Sequence, residues 1–176
     1  MDEQQYERCF DEARKQCHWS EFVPLGDRCF KEEDFEHAQR SYKEAIEMAD
    51  SYVGDDFPDD SELFGVKVLL NVVSVEVNES DGDKHYRNRR FKKARDCYYE
   101  ALQNAEEANG LTQDSATVDA KKRRDIEQKI VKVEVFLGIE SDIEEARKQV
   151  EVEINNVIKG KLRLAEELGR LGLDCP

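Results

Sequence analysis

The residues of this chain that could do chemistry are three histidines, five cysteines and a surplus of carboxylates. His18 adjoins Cys17, but neighbouring residues on a helix point in different directions. No second His/Cys pair is available to complete a tetrahedral metal site, and His37 and His85 stand apart. Cys9, Cys17, Cys29, Cys97 and Cys175 contain no Cys-x-x-Cys pair and leave one thiol unmatched. Several fall at apolar helical positions, where a reduced thiol packs as a small hydrophobe, so a reducing, cytoplasmic setting is expected. No phosphate-cradling glycine loop, nucleophile elbow or His-Glu-x-x-His occurs. Glu32-Glu33 is an adjacency that a chain with 41 acidic residues contains by chance, and Glu76 reads as a groove or snorkelling residue. The expectation is no catalytic residue, no metal ligand and no cofactor, hence no enzyme.

Charge is distributed more tellingly. The 41 acidic and 27 basic residues give a net charge of −14, which favours solubility and opposes general nucleic-acid binding. Against that background Lys84, Arg87, Arg89, Arg90, Lys92, Lys93 and Arg95 crowd one short stretch, interleaved with His85, Tyr86 and Phe91. Cations at a helix start oppose the helix dipole. Arg87, Arg89, Arg90, Lys92 and Lys93 are therefore a candidate basic patch for an acidic partner segment. Internal pairing with Asp55, Asp56, Asp59 and Asp60 is the competing explanation. Lys121, Lys122, Arg123 and Arg124 are expected to form the solvated face of a helix.

Helices must position these groups, because apolar residues recur at spacings of three and four almost everywhere and no segment gives a clean period of two. The pattern predicts an all-α chain of about seven helices: 2–17, 21–32, 35–52, 61–78, 90–109, 117–137 and one from Ser141 onward. Gly54 to Asp60 reads as a loop, as does Ser80 to Asn88 with its Asp81-Gly82-Asp83 core. Ser141-Asp142-Ile143-Glu144 has the form of a capping box. The long last helix carries Ile143, Ala146, Val150, Ile154, Val157, Leu162, Ala165 and Leu168 on one side. The N-terminus lacks a secretory pattern. The most apolar stretch, Val66 to Val77, is broken by Lys67, Asn71, Ser74 and Glu76, so no membrane span is expected.

Residues 34–49 align without gaps to residues 90–105. The shared positions are Phe35/Phe91, Ala38/Ala94, Tyr42/Tyr98, Glu44/Glu100, Ala45/Ala101, Ile46/Leu102 and Ala49/Ala105. Small alanines on one helix face let a neighbour approach, and aromatics fill the space beside them. Phe22, Leu25 and Gly26 precede Phe35 at matching distances. Hydrophobic residue, Leu-Gly, aromatic, Ala, aromatic, Ala in this order resembles the tetratricopeptide repeat. The resemblance implies an α-solenoid of antiparallel helices, with residues 1–18 as an N-terminal helix and 19–52 as the first repeat. Residues 61–109 would be the second repeat with an inserted loop at 80–88, and 117–176 a degenerate third repeat and C-terminal helix.

The layout is further similar to the three-repeat domains of immunophilin-type co-chaperones, through Gly26 to Phe35 and Val68-Leu69-Leu70-Asn71. That family grips C-terminal carboxylates with lysine and asparagine donors. Of those positions only Asn71 matches clearly; Val23 and Asp27 stand at two others, and Lys132 alone could serve in the third repeat. The resemblance implies a concave partner groove at Val23, Asp27, Phe30, Lys31, Lys67, Asn71 and Ser74, with the carboxylate clamp largely missing. The function expected is a protein–protein interaction adaptor or scaffold that binds a peptide or helix of another protein. A self-associating structural subunit is the alternative, and a helical enzyme with an unrecognised site is the third reading.

Overall fold

The computed structural model describes residues 1–51, 60–112 and 117–170. Six α-helices and one 3-10 turn, Trp19–Glu21, make up these residues, with no strand among them. The helices are α1 (Glu3–Gln16), α2 (Phe22–Lys31), α3 (Phe35–Ser51), α4 (Asp60–Arg87), α5 (Phe91–Leu111) and α6 (Ala120–Arg170). The chain divides into two units, residues 1–134 and residues 135–176.

In the first unit Asp2 starts α1 by accepting from the Gln5 amide at 2.8 Å, and Cys17 ends it in the left-handed region at φ 53°. Pro24 lies in the first turn of α2, where its missing amide costs no helical bond. The α1 to α4 core is built on Tyr6, Phe10, Phe22, Leu25, Tyr42 and Val73, with Ala38, Ala45 and Ala49 fully buried between them. Tyr6 stacks on His37 with ring centroids 3.9 Å apart and shares a hydrogen bond with Ser41. His37 in turn lies 2.7 Å from Asp34 and 3.1 Å from Glu3, clasping α1 to the start of α3.

Helices α2 and α3 form an antiparallel hairpin, and α4 and α5 form a second one displaced by 56 residues. The match is atomic. Tyr42 donates its hydroxyl to Asp27 at 2.7 Å, and Tyr98 donates to Asp83 at 2.7 Å. Phe30 meets Phe35 edge-to-face at 5.9 Å, and Tyr86 meets Phe91 edge-to-face at 5.6 Å. Asp34 and Arg90 each return an amide to the carbonyl five residues back, of Cys29 and His85, at 2.9 Å. Glu33 and Arg89 hold the left-handed residue of their turns at φ 59° and 55°. Ala94, Tyr98, Ala101 and Ala105 are buried where Ala38, Tyr42, Ala45 and Ala49 are.

The structure corrects several sequence expectations. The loop at 80–88 is helical as far as Arg87, because Gly82 and Asp83 do for Tyr98 what Gly26 and Asp27 do for Tyr42. The length beyond a compact repeat therefore includes the first half of α4, where Leu63, Val66 and Val73 pack into the core beside α3. Helix α4 is buried on more than one side, as a central helix must be. The helix end at Gly138 and the capping box at Ser141 are absent, since α6 runs unbroken from Ala120 to Arg170. A single interior glycine costs a helix only about 1 kcal/mol, too little to stop one fifty residues long. Six α-helices and a 3-10 turn thus stand, among the described residues, where seven helices were expected. The acidic stretch Asp55 to Asp59 lies outside the described residues.

Of the second unit, residues 135–170 are described, all within α6; none of their described side chains is buried.

Candidate functional site

The second hairpin is tied to α6 by a ladder of charges. Lys122 reaches Glu76 at 2.7 Å and Glu79 at 2.5 Å; Lys129 reaches Glu79 at 2.7 Å and Asp83 at 2.8 Å. Tyr98 closes the ladder on Asp83, and the Lys129 ammonium lies 5.6 Å from the Tyr98 ring centre. Burial by itself would raise the carboxyl pKa of Glu79 and of Asp83. The donated hydrogen bonds outweigh it and hold both below the usual carboxylate range. Burial opposes the charge on Lys122 and Lys129 too, and again the ion-paired hydrogen bonds win, raising both. Tyr98 and Tyr42 are pushed well above the usual phenol value, first by burial and then by the carboxylate each one meets.

The expected groove residues fall into two sets with different fates, four on α2 and three on α4. Val23, Asp27 and Phe30 lie at helical spacing on the half-buried flank of α2. Val23 and Phe30 pack against the core, and Asp27 is engaged by Tyr42. Lys31 is exposed beside them. The 56-residue repeat puts Glu79, Asp83 and Tyr86 at the corresponding places of α4. Lys67, Asn71 and Ser74 lie earlier, on the part of α4 that has no counterpart in α2. There Lys67 is exposed, Asn71 half-buried, and Ser74 buried and accepting from the Gln39 amide at 2.9 Å. At the other edge of this helix pair, a crevice of about 220 Å³ opens between the α2–α3 turn and α4, lined by Glu33, Asp34, Glu36, Glu76 and Ser80.

The basic patch sits on the α4–α5 turn. Arg87, Arg89, Arg90, Lys92 and Lys93 are all exposed, and none of them forms an ion pair among the described residues. The flanking cations differ, because Lys84 is held by Glu36 and Asp81, and Arg95 by Asp96. Arg90 stands at the N-cap of α5 without a side-chain cap. In the first hairpin Asp34 holds the same place and contacts the His37 amide.

Lys121 to Arg124 departs from its expected solvated face. Lys122 turns inward to Glu76 and Glu79, and Arg123 buries Nε with no hydrogen-bond partner among the described residues. The charge ladder leaves no local signal in the sequence, because Lys122 finds its partner Glu76 on α4, 46 residues away. Extending the 56-residue alignment upstream to Gly26-Asp27 and Gly82-Asp83 would have found its Asp83 end. Among the described residues no group of three His, Cys, Asp or Glu side chains is placed to hold a metal ion. No helix among them is long and apolar enough to cross a membrane.

Compared with known proteins, the chain is matched by no family model, no curated protein and no solved structure.

Proposed function

We propose that this chain is a helical-repeat adaptor or scaffold that binds an acidic peptide or helix of another protein. The observation that carries the reading is the pair of hairpins superposed at a 56-residue offset, each locked by the same glycine, aspartate and tyrosine. Such a duplicated hairpin, together with the tetratricopeptide-like order of its aromatics and alanines, supports an arrangement whose product is surface rather than chemistry. Helices α2 and α4 supply Val23, Lys31, Lys67 and Asn71 as groove residues. Five exposed cations at the α4–α5 turn, on a chain of net charge −14, supply the preference for acid.

The experiment is a calorimetric titration with a helical Glu/Ala-rich peptide at low and at physiological salt. Binding that weakens with salt, and that Arg89→Ser/Arg90→Ser reduces, supports the reading. Absence of binding at low salt, or binding indifferent to those substitutions, defeats the acidic-partner assignment. The duplicated hairpin also favours a protein interaction surface over the enzyme alternative.

A further inference from the structure

The 56-residue repeat reverses the charge of a crevice. Beside the α2–α3 turn, Glu33, Asp34 and Glu36 wall one side and Glu76 of α4 the other, with Phe35 and Val77 between them. The residues 56 positions later are Arg89, Arg90, Lys92 and Lys132, and the apolar pair becomes Phe91 and Val133. Four acids have become four bases, while both apolar positions stay apolar.

The charge ladder brings Lys132 to that turn. Lys122 meets Glu76 and Lys129 meets Asp83, each across 46 residues, so α4 and this part of α6 run parallel in a fixed register. Lys132 lies one turn beyond Lys129, about 4.5 Å along the axis and about 60° around it. The same register sets it level with Tyr86, beside the last residue of α4, Arg87. This part of α6 also stands on the second hairpin as α4 stands on the first. Ser74 and Ile130, 56 residues apart, are both buried; Val77 is partly buried and Val133 fully.

The two crevices differ in what their charges meet. In the acidic one Asp34 contacts His37, Glu36 is held by Lys84, and Glu76 by Lys122. In the basic one Arg89, Arg90, Lys92 and Lys132 are all exposed, and none forms an ion pair among the described residues. The first crevice is neutralised from within, and the second lacks its acids.

We infer that Arg89, Arg90, Lys92 and Lys132 form one crevice for clustered side-chain carboxylates of the partner. The acidic segment then seats between the α4–α5 turn and α6, not on the turn alone. Cations converging from two elements are complementary to several closely spaced acids, whereas a chain terminus offers a single charge. The inference rests on the acidic-partner reading and adds to it a second wall and Lys132.

Titration of the full chain with the Glu/Ala-rich peptide at low salt tests it. Wild type is compared with Arg89→Ser, with Lys132→Ser, and with Lys43→Ser, an exposed lysine of α3 that controls for the loss of one charge. Lys132→Ser should weaken binding about two- to fivefold, as Arg89→Ser does, and Lys43→Ser should leave it unchanged. Amidating the peptide's C-terminus should make no difference. Unchanged affinity in Lys132→Ser, with Arg89→Ser weakened, overturns the crevice and leaves the turn as the site. Equal losses in Lys132→Ser and Lys43→Ser trace the effect to net charge and overturn it as well. Binding that amidation abolishes overturns the side-chain carboxylates as the ligand. A wild-type chain that binds no peptide defeats both the inference and the reading beneath it.

Discussion

Tyr98 and Lys129 converge on a single oxygen, Oδ1 of Asp83, at 2.7 Å and 2.8 Å. The hydroxyl comes from the second hairpin and the ammonium from α6. In the first hairpin, among the described residues, Asp27 serves Tyr42 alone. The repeat supplied the tyrosine–aspartate pair, and the second copy of it also anchors the next helix.

Stability should fall steeply in acid through this cluster. Glu79 and Asp83 titrate below their ordinary values in the folded chain. Their contribution is therefore complete above the unfolded carboxylate range near pH 4 and disappears as pH drops through the depressed folded values. Lys122 and Lys129 are raised, so their contribution holds below about pH 10.4 and is lost as pH climbs through the raised values. Asp83→Asn should flatten the acid limb and cost about 1–3 kcal/mol at neutral pH. Urea denaturation from pH 3 to pH 8 measures both, and an unaltered acid slope would refute the ladder.

Two glycines of one helix should respond oppositely to the same change. A Cβ on Gly82 would press into the Tyr98 ring, whereas a Cβ on Gly65 meets nothing within 4 Å. Gly65→Ala should stabilise by about 0.5–1 kcal/mol. Gly82→Ala, despite the same gain in helix propensity, should destabilise by a net ~1–2 kcal/mol through overpacking. Gly26→Ala against Tyr42 should behave like Gly82→Ala. Thermal melts of the three variants decide this, and equal effects would contradict the close approach.

Ala45 and Ala101 are fully buried at equivalent points of α3 and α5. Ala45→Leu should cost roughly 1–3 kcal/mol, as should Ala101→Leu. An unchanged melting transition in either would show that the helices are looser there than described.

Peptides ending in Glu-Glu-Val-Asp should bind no more tightly by calorimetry than the same peptides with the C-terminal carboxylate amidated. Val23 offers no donor, and Asp27 presents a carboxylate, already engaged by Tyr42, where a cation-rich clamp would need to be. Affinity that amidation abolishes would overturn this assignment of the α2 flank.

At the basic turn, Arg89→Gly should raise stability by about 1 kcal/mol, because Arg89 occupies the left-handed region at φ 55°. It should also weaken acidic-peptide binding, with the deficit shrinking as salt is raised. Loss of stability would mean that Arg89 has a structural partner.

Most of the helical content was legible from periodicity, and Phe35/Phe91 through Ala49/Ala105 revealed the duplicated helix. Asp81-Gly82-Asp83 misled because glycine flanked by aspartates has the composition of a turn, and only the facing Tyr98 explains why a helix needs a missing side chain there. Ser141 misled for the reverse reason: a capping box is a signal for starting a helix, but it cannot stop one already under way. The inward turn of Lys122 depends on α4 lying alongside, a pairing across 46 residues that local spacing does not encode. Of the groove residues, Asp27 and Ser74 looked available because their partners, Tyr42 and Gln39, lie on a different helix.

The two hairpin turns share one backbone, with Glu33 and Arg89 in the same left-handed conformation and the same amide-to-carbonyl closure behind them. Their side chains nonetheless carry opposite charge: Glu32, Glu33 and Asp34 in one, Asn88, Arg89 and Arg90 in the other. The turns are therefore interchangeable cassettes. Transplanting residues 32–34 onto 88–90 should invert the local potential while leaving the hairpin's geometry intact, so that the polarity of the surface can be rewritten without touching the scaffold that presents it.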